Sequence, residues 1–260
     1  MEWQDQGVVI STRRHGERDA ILEVMTPVHG RHLGLVRGGR SPRHAAVLQP
    51  GNRVALTWRA RLEDHLGQFT AEMLESRAAT VLAGPFALHV MTHLALLVRQ
   101  LPERSRHPSI YEAVDGLCGL LAHPTMIAPL LVRFELLVLS ELGFGLDLAA
   151  CAATGSREAL CYVSPKSGRA VSREAGAPYH AKLLALPSFL LADNEEGAIP
   201  ACDIAQGFAL TGYFLDRHIF DPRGIRDRDA RFRIVDGVSR LAPLTNDTAI
   251  LGADFQLSEN

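Results

Sequence analysis

The sequence predicts an α+β protein in which a small β-barrel comes first and an α-helical domain follows. The first observation is a run of five short β-like segments between residues 7 and 77, separated by turns with glycine or proline, as in small barrels. The second is a change of period from about residue 84, where apolar residues recur every three or four positions, as in packed helices. The 260 residues, 47% hydrophobic and 22% charged, suffice for one large or two smaller soluble domains.

The barrel segments end at turn residues, such as the glycine and proline pairs at positions 38–39 and 50–51. A short helix is expected at residues 41–48, between the third and fourth strands. We place the whole barrel at residues 1–80. The five predicted strands cover residues 8–10, 20–25, 32–36, 54–58 and 69–74.

The helical domain is predicted from periodicity and from proline in the first turn of three helices. A stretch rich in glycine, serine and proline, residues 147–180, is expected to be an irregular loop insertion. The domain then extends over residues 81–245, and the polar residues 246–260 are expected to form a disordered tail. The predicted helices cover residues 84–101, 108–122, 124–143 and 204–220.

The sequence indicates a cytoplasmic protein without a membrane span. Its first residues carry neither a basic region nor an apolar segment, so no signal peptide is expected. The longest apolar stretch, residues 126–142, is interrupted by Arg133, Glu135 and Glu141, which indicates a buried helix. Four cysteines without a secretory signal do not make a disulfide framework.

The usual enzyme motifs are missing from the sequence. It contains no glycine-rich nucleotide loop, no nucleophile elbow and no paired-histidine zinc motif with an acid between the histidines. His89 and His93 have the spacing of metal ligands on a helix, but leucines surround them, and core or boundary histidines are the favoured interpretation. We therefore expect a protein that is not an enzyme and needs no cofactor.

The loop insertion holds a second possible metal site. Cys151, Cys161 and His180 are near one another in sequence, yet structural zinc needs four closely arranged ligands. A metal-free loop held by turns and hydrogen bonds is the favoured interpretation.

Charge is distributed unevenly along the chain. The net charge is −2, but residues 1–61 contain ten arginines and only five acidic residues. Arginine forks suit phosphate groups, so this region is expected to meet a polyanion. A genome biased towards arginine codons would give the same composition, and for any single arginine a solvated polar surface is the favoured explanation. Taken as a cluster, the arginines favour nucleic acid. The candidate DNA-binding residues are Arg37, Arg40, Arg43, Arg13, Arg14, Arg31, Arg59 and Arg61.

Aromatic residues are few in this region, so the expected contact is electrostatic rather than a stacking platform. The aromatic residues of this region are Trp3, Trp58 and Phe69, too few for a tight stacking platform. A contact made mainly with phosphates is salt-sensitive and blind to sequence. A protein that holds backbones and leaves base edges free would allow two complementary strands to anneal.

Several motifs, taken in their order along the chain, resemble the RecO family of bacterial recombination mediators in DNA repair. They include a Glu-Arg-Asp-Ala-Ile-Leu-Glu segment, a Val-Arg-Gly-Gly-Arg-Ser segment and a helical Arg-Phe-Glu-Leu-Leu segment. The resemblance covers roughly residues 5–220. The segments that carry it are residues 17–27 with Gly30, 36–41, 48–51, 133–144, 151–155 and 162–171.

The resemblance implies an OB-fold barrel, a helical domain and, in some members, a zinc knuckle with four cysteines. It also implies binding of single- and double-stranded DNA, strand annealing, and association with RecR and with the acidic C-terminal tail of single-strand-binding protein. Through these contacts the family helps to load the RecA recombinase. The implied location is the cytoplasm, in association with the nucleoid.

The knuckle positions carry over to Cys151, Thr154, Ser172 and Ala175, which makes the loop a degenerate knuckle with one cysteine. For the acidic tail, the resemblance implies a basic patch on the helical domain. The alternative function is a protein-interaction adaptor whose helical domain bridges repair partners without strong DNA binding. The candidate residues for the tail are Arg133, Arg217, Arg223, Arg226, Arg228, Arg231 and Arg233.

Overall fold

In a computed structural model, which describes residues 1–191 and 199–240, the N-terminal strands close into a barrel in the order β1-β2-β3-β5-β4. All neighbouring strands are antiparallel except β3 and β5, which meet in parallel at Leu35 and Gln68. A barrel of this type followed by helices confirms the predicted α+β class and its OB-like first part. The elements are β1 (Glu2–His15), β2 (Asp19–Thr26), β3 (Gly30–Val36), α1 (Pro42–Val47), β4 (Arg53–Arg59) and β5 (Gln68–Glu75).

Alternation of side chains explains the barrel interior. In β4, Val54, Leu56 and Trp58 are buried, while the residues between them are partly exposed. Gly34 in β3 leaves space for the ring of Phe69, because a Cβ atom at position 34 would lie 2.4 Å from Cδ2 of that ring. The barrel is therefore filled by apolar side chains from all five strands.

In the described residues the helical domain contains seven α-helices, two short 3-10 helices, one π-helical segment that continues the helix Ala201–Leu215 in the sequence, and one small sheet. Three helices begin at a proline, as the sequence predicted, because proline fits the first helical turn. The helices are α2 (Ala78–Ala83), α3 (Pro85–Val98), α4 (Pro108–Gly119), α5 (Pro124–Glu141), α6 (Arg173–Gly176), α7 (Ala201–Leu215) and α8 (Asp229–Ser239).

The expectation of a wholly irregular insertion at residues 147–180 was wrong. The region contributes two strands to a three-stranded sheet with the order β7-β6-β8. These strands have four, three and two residues, which is too short for alternation to show in the sequence. The predicted tail, residues 246–260, and the last residues of the predicted helical domain, 241–245, lie outside the described residues. The strands are β6 (Leu160–Val163), β7 (Ala170–Ser172) and β8 (Leu184–Ala185).

A buried amide joins the barrel to the helices. The side-chain oxygen of Asn52 accepts hydrogen bonds from the backbone N–H groups of Arg77 (2.8 Å) and Ala78 (3.0 Å). Its amide nitrogen donates to the carbonyl oxygens of Ala46 (2.9 Å) and Val47 (3.1 Å). Every polar group of this fully buried side chain is thereby satisfied, and the end of α1, the start of β4 and the start of α2 are held together.

A buried carboxylate joins four helices. Glu135 of α5 accepts hydrogen bonds from Nε of Arg231 on α8 (2.8 Å) and from the hydroxyl of Thr211 on α7, and its Oε1 lies 2.7 Å from Nε2 of His93 on α3. Burial alone would raise the pKa of Glu135, but the charge of Arg231 and the contact with His93 outweigh it and lower the pKa to about 2. The structure therefore places His93 in the core and His89 at its boundary.

Loss of the Arg231 guanidinium is expected to destabilise the helical domain strongly. Arg231→Ala leaves the carboxylate of Glu135 buried without its main cationic partner, which costs about 3–5 kcal/mol of unfolding free energy. Urea unfolding measures the effect. The exposed neighbour on the same helix provides the control, since Arg233→Ala should change the free energy by less than about 0.5 kcal/mol. Equal effects of the two substitutions would contradict this account.

The same carboxylate makes stability depend on pH. Because the pKa of Glu135 is lowered from 4.5 to about 2, its stabilising contribution is complete above about pH 4.5 and is lost as pH falls towards 2. We expect the unfolding free energy to fall less between pH 5 and pH 3 in Glu135→Gln than in the wild type. Urea unfolding at both pH values tests this, and parallel losses in the two proteins would refute it.

Candidate nucleic-acid interface

The β1–β2 hairpin and the segment after β3 meet at one edge of the barrel. Nη1 of Arg40 donates to the carbonyl oxygens of Glu17 (2.6 Å) and Gly16 (3.2 Å), and its backbone N–H donates to the carbonyl oxygen of Arg18 (3.0 Å). The close approach depends on Gly39, where a Cβ atom would lie 2.7 Å from Cβ of Ala20. The turn of the hairpin is thus fixed against the segment that follows β3.

This contact brings together six arginines from two parts of the sequence, which we call the basic edge. Within the described ranges all except Arg40 form neither an ion pair nor a side-chain hydrogen bond, and all six are exposed. In the strand register Arg14 faces Ala20, and Ala20 faces Val36, so Arg14 and the start of the next segment are two strand spacings apart, roughly 10 Å. The basic edge consists of Arg13, Arg14, Arg18, Arg37, Arg40 and Arg43.

The other predicted residues are placed differently. Arg59 ends β4 and forms an exposed ion pair with Glu2 (2.8 Å), while Arg61 is exposed in the β4–β5 loop. Arg31 is half-buried and pairs with Glu23 (3.2 Å), so the structure does not group it with the basic edge. The sequence placed Arg31 among the candidate DNA-binding residues, because the acidic partner on the neighbouring strand cannot be recognised from the local pattern.

Aromatic side chains do not form an exposed row on the described part of the barrel. Trp58 and Phe69 are buried in its interior, and half-buried Trp3 stacks on His29 with a centroid distance of 3.9 Å. His32 lies against the same aromatic group, where burial lowers its pKa to about 4 and keeps it neutral at pH 7. The surface chemistry of the basic edge is therefore cationic rather than aromatic.

An ion-pair cluster between the barrel and the helical domain was missed by sequence reasoning. The carboxylate of Glu23 on β2 accepts hydrogen bonds from Nη2 of Arg99 (2.7 Å) and from the hydroxyl of Ser11 (2.7 Å), in addition to the pair with Arg31. Burial would raise the pKa of Glu23, but the hydrogen bonds from Arg99 and Ser11 and the charges of both arginines lower it. Arg99 follows α3, at a distance of 76 residues in sequence, and no local signal connects it with Glu23.

The degenerate knuckle is held by hydrogen bonds. The thiol sulfur of Cys151 accepts from the backbone N–H of Ser172 (3.3 Å), and the hydroxyl of Ser172 caps α6 by accepting from the N–H of Ala175 (3.5 Å). Hydrogen bonds from the side chains of Ser172 and Thr154 lower the pKa of the buried Cys151 thiol to about 6.

These residues do not fit a zinc ion. Of the four knuckle positions, only Cys151 is a residue type that ligates zinc. Cys161 and His180 do not complete a site with it, because in residues 1–191 and 199–240 no three side chains of histidine, cysteine, aspartate or glutamate are arranged to hold a metal. Exposed His180 instead donates through Nδ1 to the carbonyl oxygen of Ala177 (3.0 Å). The loop is thus folded without the set of ligands that zinc requires.

Comparison with known proteins relates this chain to a single family along most of its length. Residues 1–77 match the family model for the N-terminal part of recombination protein O, and residues 85–227 match the model for its C-terminal part. The chain belongs to the RecO family. This finding confirms the resemblance seen in the sequence and gives the chain a role in DNA repair.

Relatives in the RecO family are similar over nearly their full length. The DNA repair protein RecO of Chelativorans sp. is 55% identical over 243 residues, which are 94% of this chain and 98% of that protein. The protein of the same name from Methylobacterium nodulans is 56% identical over 89% of this chain and 95% of its own length. That of Brucella abortus is 49% identical, with 94% and 99% covered. In the part of the chain that the structure describes, no helix is long and apolar enough to span a membrane.

Removal of metal ions is expected to leave the stability of the protein unchanged. Because three of the four knuckle positions lack a zinc ligand, incubation with a strong chelator should not shift the unfolding temperature. Differential scanning calorimetry with and without the chelator tests this. A decrease of several degrees, reversed by added zinc, would show that other residues hold a metal.

Proposed function

We propose that this chain is a non-enzymatic mediator of recombination that binds single- and double-stranded DNA through the phosphates. One observation carries the proposal. The basic edge collects six exposed arginines from the β1–β2 hairpin and the segment after β3. Within the described ranges none of the six forms an ion pair, and only Arg40 makes side-chain hydrogen bonds, so the other five guanidinium groups are available to an external anion. Membership of a DNA repair family makes DNA the relevant polyanion.

Phosphate binding alone explains how such a protein would anneal strands. Arginine forks match the geometry of phosphate oxygens, and contacts to phosphates carry no sequence information. Because the aromatic rings of the barrel are mostly buried, few groups compete for the bases. Two complementary strands held by their backbones would therefore keep their base edges free for pairing.

We further propose that the chain works with a RecR-type partner and the acidic tail of single-strand-binding protein, and helps to load the recombinase at the nucleoid. Of the seven arginines considered for the acidic tail, two already have acidic partners: Arg228 pairs with Asp216 and Asp221, and Arg231 with Glu135. Arg226 and Arg233 are exposed and, in the described part of the chain, form no ion pair. They are the stronger candidates for contact with an acidic segment.

Binding of DNA should depend steeply on salt and on the basic edge. For a labelled single-stranded oligonucleotide, log K falls with log salt at about 0.7 per phosphate neutralised. The variant Arg37→Ala/Arg40→Ala/Arg43→Ala should bind more weakly, with a slope reduced by about 2 if each arginine contacts one phosphate. Fluorescence anisotropy across a salt series measures both quantities.

The control for this variant removes the same charge from the helical domain. Arg157→Ala/Arg173→Ala/Arg233→Ala replaces three exposed arginines and should retain the wild-type slope. Equal slopes in both triple variants would place the contact away from the basic edge. Lack of binding by the wild type at low salt would refute direct DNA binding and favour the adaptor function.

The rate of strand annealing should depend on the fraction of DNA that is bound by the protein. We expect the triple variant of the basic edge to anneal complementary labelled strands slowly at equal protein concentration, because less DNA is bound. At concentrations that give equal occupancy, its annealing rate should return to the wild-type value. Energy transfer between dyes on the two strands measures the rate, and a persistent defect at equal occupancy would contradict annealing by simple backbone retention.

A further inference from the structure

A groove of about 430 Å³ lies between the outer face of the barrel and the end of α3. Its wall combines side chains from two parts of the chain: Arg13 and Arg31 belong to the barrel, and Arg99 belongs to the helical domain. Ile21 and Leu33 form an apolar floor. The groove is continuous with the basic edge, because Arg13 belongs to both.

The groove contains more positive than negative charge. Its single carboxylate, that of Glu23, is shared between Arg31 and Arg99, while Arg13 has no ion pair in the described residues. Two positive charges are therefore uncompensated.

Two donor groups of the arginines also remain unused. Nε and Nη2 of Arg99 donate hydrogen bonds to the carboxylate of Glu23. The Arg99 side chain is 46% exposed, so its Nη1 can donate to a second anion. The buried Nε of Arg31 has no hydrogen-bond partner among the described residues.

We propose that this groove is a phosphate-binding site in which the nucleic-acid backbone passes from the basic edge of the barrel onto the helical domain. The proposal rests on DNA binding by the basic edge and extends it to Arg99, a residue outside the barrel. The carboxylate of Glu23 orients the two guanidinium groups and also neutralises part of the charge that a phosphate would meet. Glu23 thereby limits the affinity of the groove for a polyanion.

Position and chemistry both favour a nucleic-acid backbone as the ligand. The groove opens on the strands β1–β3, and the second and third strands of OB-folds provide the face that binds oligonucleotides. Guanidinium groups bind phosphate oxygens through paired hydrogen bonds, and the partly buried, apolar surroundings reduce screening of such contacts by salt. An acidic protein segment could bind the same guanidinium groups. A nucleic-acid backbone fits better, because its regularly spaced phosphates would contact both the groove and the adjoining basic edge.

The test compares two substitutions that should change DNA binding in opposite directions. Glu23→Gln removes the competing charge and should raise the affinity for a single-stranded oligonucleotide about threefold, and the salt slope should increase by about 0.7. Arg99→Gln should lower the affinity by a similar factor and reduce the slope by about 0.7. Fluorescence anisotropy over a salt series, with the full chain, gives both values.

A remote ion pair supplies controls with the same changes of net charge. Asp236 of α8 pairs with Arg240, the residue that follows this helix (2.8 Å). Neighbouring Gly237 packs near Phe86 at the start of α3, roughly 20 Å from Arg99 at a rise of about 1.5 Å per residue. Asp236→Asn and Arg240→Gln should leave affinity and slope nearly unchanged. If Glu23→Gln and Arg99→Gln behave like these controls, or both weaken binding, the groove is a structural junction and the proposal is overturned.

Other outcomes are separated by three further measurements. Thermal unfolding shows whether the Glu23→Gln variant folds. If it does not fold, the DNA affinity and salt slope of Arg99→Gln, compared with those of its control Arg240→Gln, decide the test. Changes in binding of polyglutamate without changes in binding of DNA would assign the groove to an acidic protein segment and overturn the proposal. Weaker binding by the triple variant of the basic edge, combined with unchanged binding by the groove variants, would reject the groove and retain the proposed function.

Discussion

Burial of the first two strands on both faces is the constraint on which the architecture depends. Val9 and Leu22 point into the barrel, whereas Val8, Ile10 and Met25 belong to the core of the helical domain. A strand covered on both faces needs consecutive apolar residues, which explains the run at positions 8–10. Since the helices occupy this part of the outer barrel surface, the hairpin end and the segment after β3 remain exposed, and there the basic edge forms.

The arginines of the chain serve two different physical purposes. Arg77 and Arg231 are largely buried and compensate carboxylates, Arg77 pairing with Asp115 and Arg231 with Glu135. A buried charge without such a partner would cost several kcal/mol, so these residues are structural. The arginines of the basic edge are exposed, and no carboxylate pairs with any of them within the described ranges. Six of the ten arginines in the first 61 residues are therefore concentrated at one edge of the barrel, where they create a local positive potential.

Much of the fold could be predicted because its signals are local. The strands of the barrel alternate or are continuously apolar, and Pro85, Pro108 and Pro124 begin three helices. The six residues of α2 and the two to four residues of β6 to β8 are too short to show a period. Helix α8, whose buried residues are only Ile234 and Val238, also has little apolar periodicity.

The candidate site was only partly predictable for a related reason. Exposed arginines near turns can be recognised from sequence, which is why the members of the basic edge other than Arg18 were among the candidates. The partner of a charge depends on tertiary contacts: Glu23 meets Arg99 from 76 residues away, and Glu135 meets Arg231 from 96 residues away. Arg31 illustrates the consequence, because the same contacts that place Glu23 at the junction also remove Arg31 from the open surface.

The degenerate knuckle is supported by packing against the core of the helical domain. Zinc stabilises small units that cannot bury enough apolar surface by themselves. Here Val163, Ala170 and Leu186, from the small sheet and the residue after it, are part of the same apolar core as the helices. The backbone hydrogen bond to Cys151 and the cap by Ser172 close the turn locally. The insertion therefore draws its support from the core of the helical domain and from these hydrogen bonds.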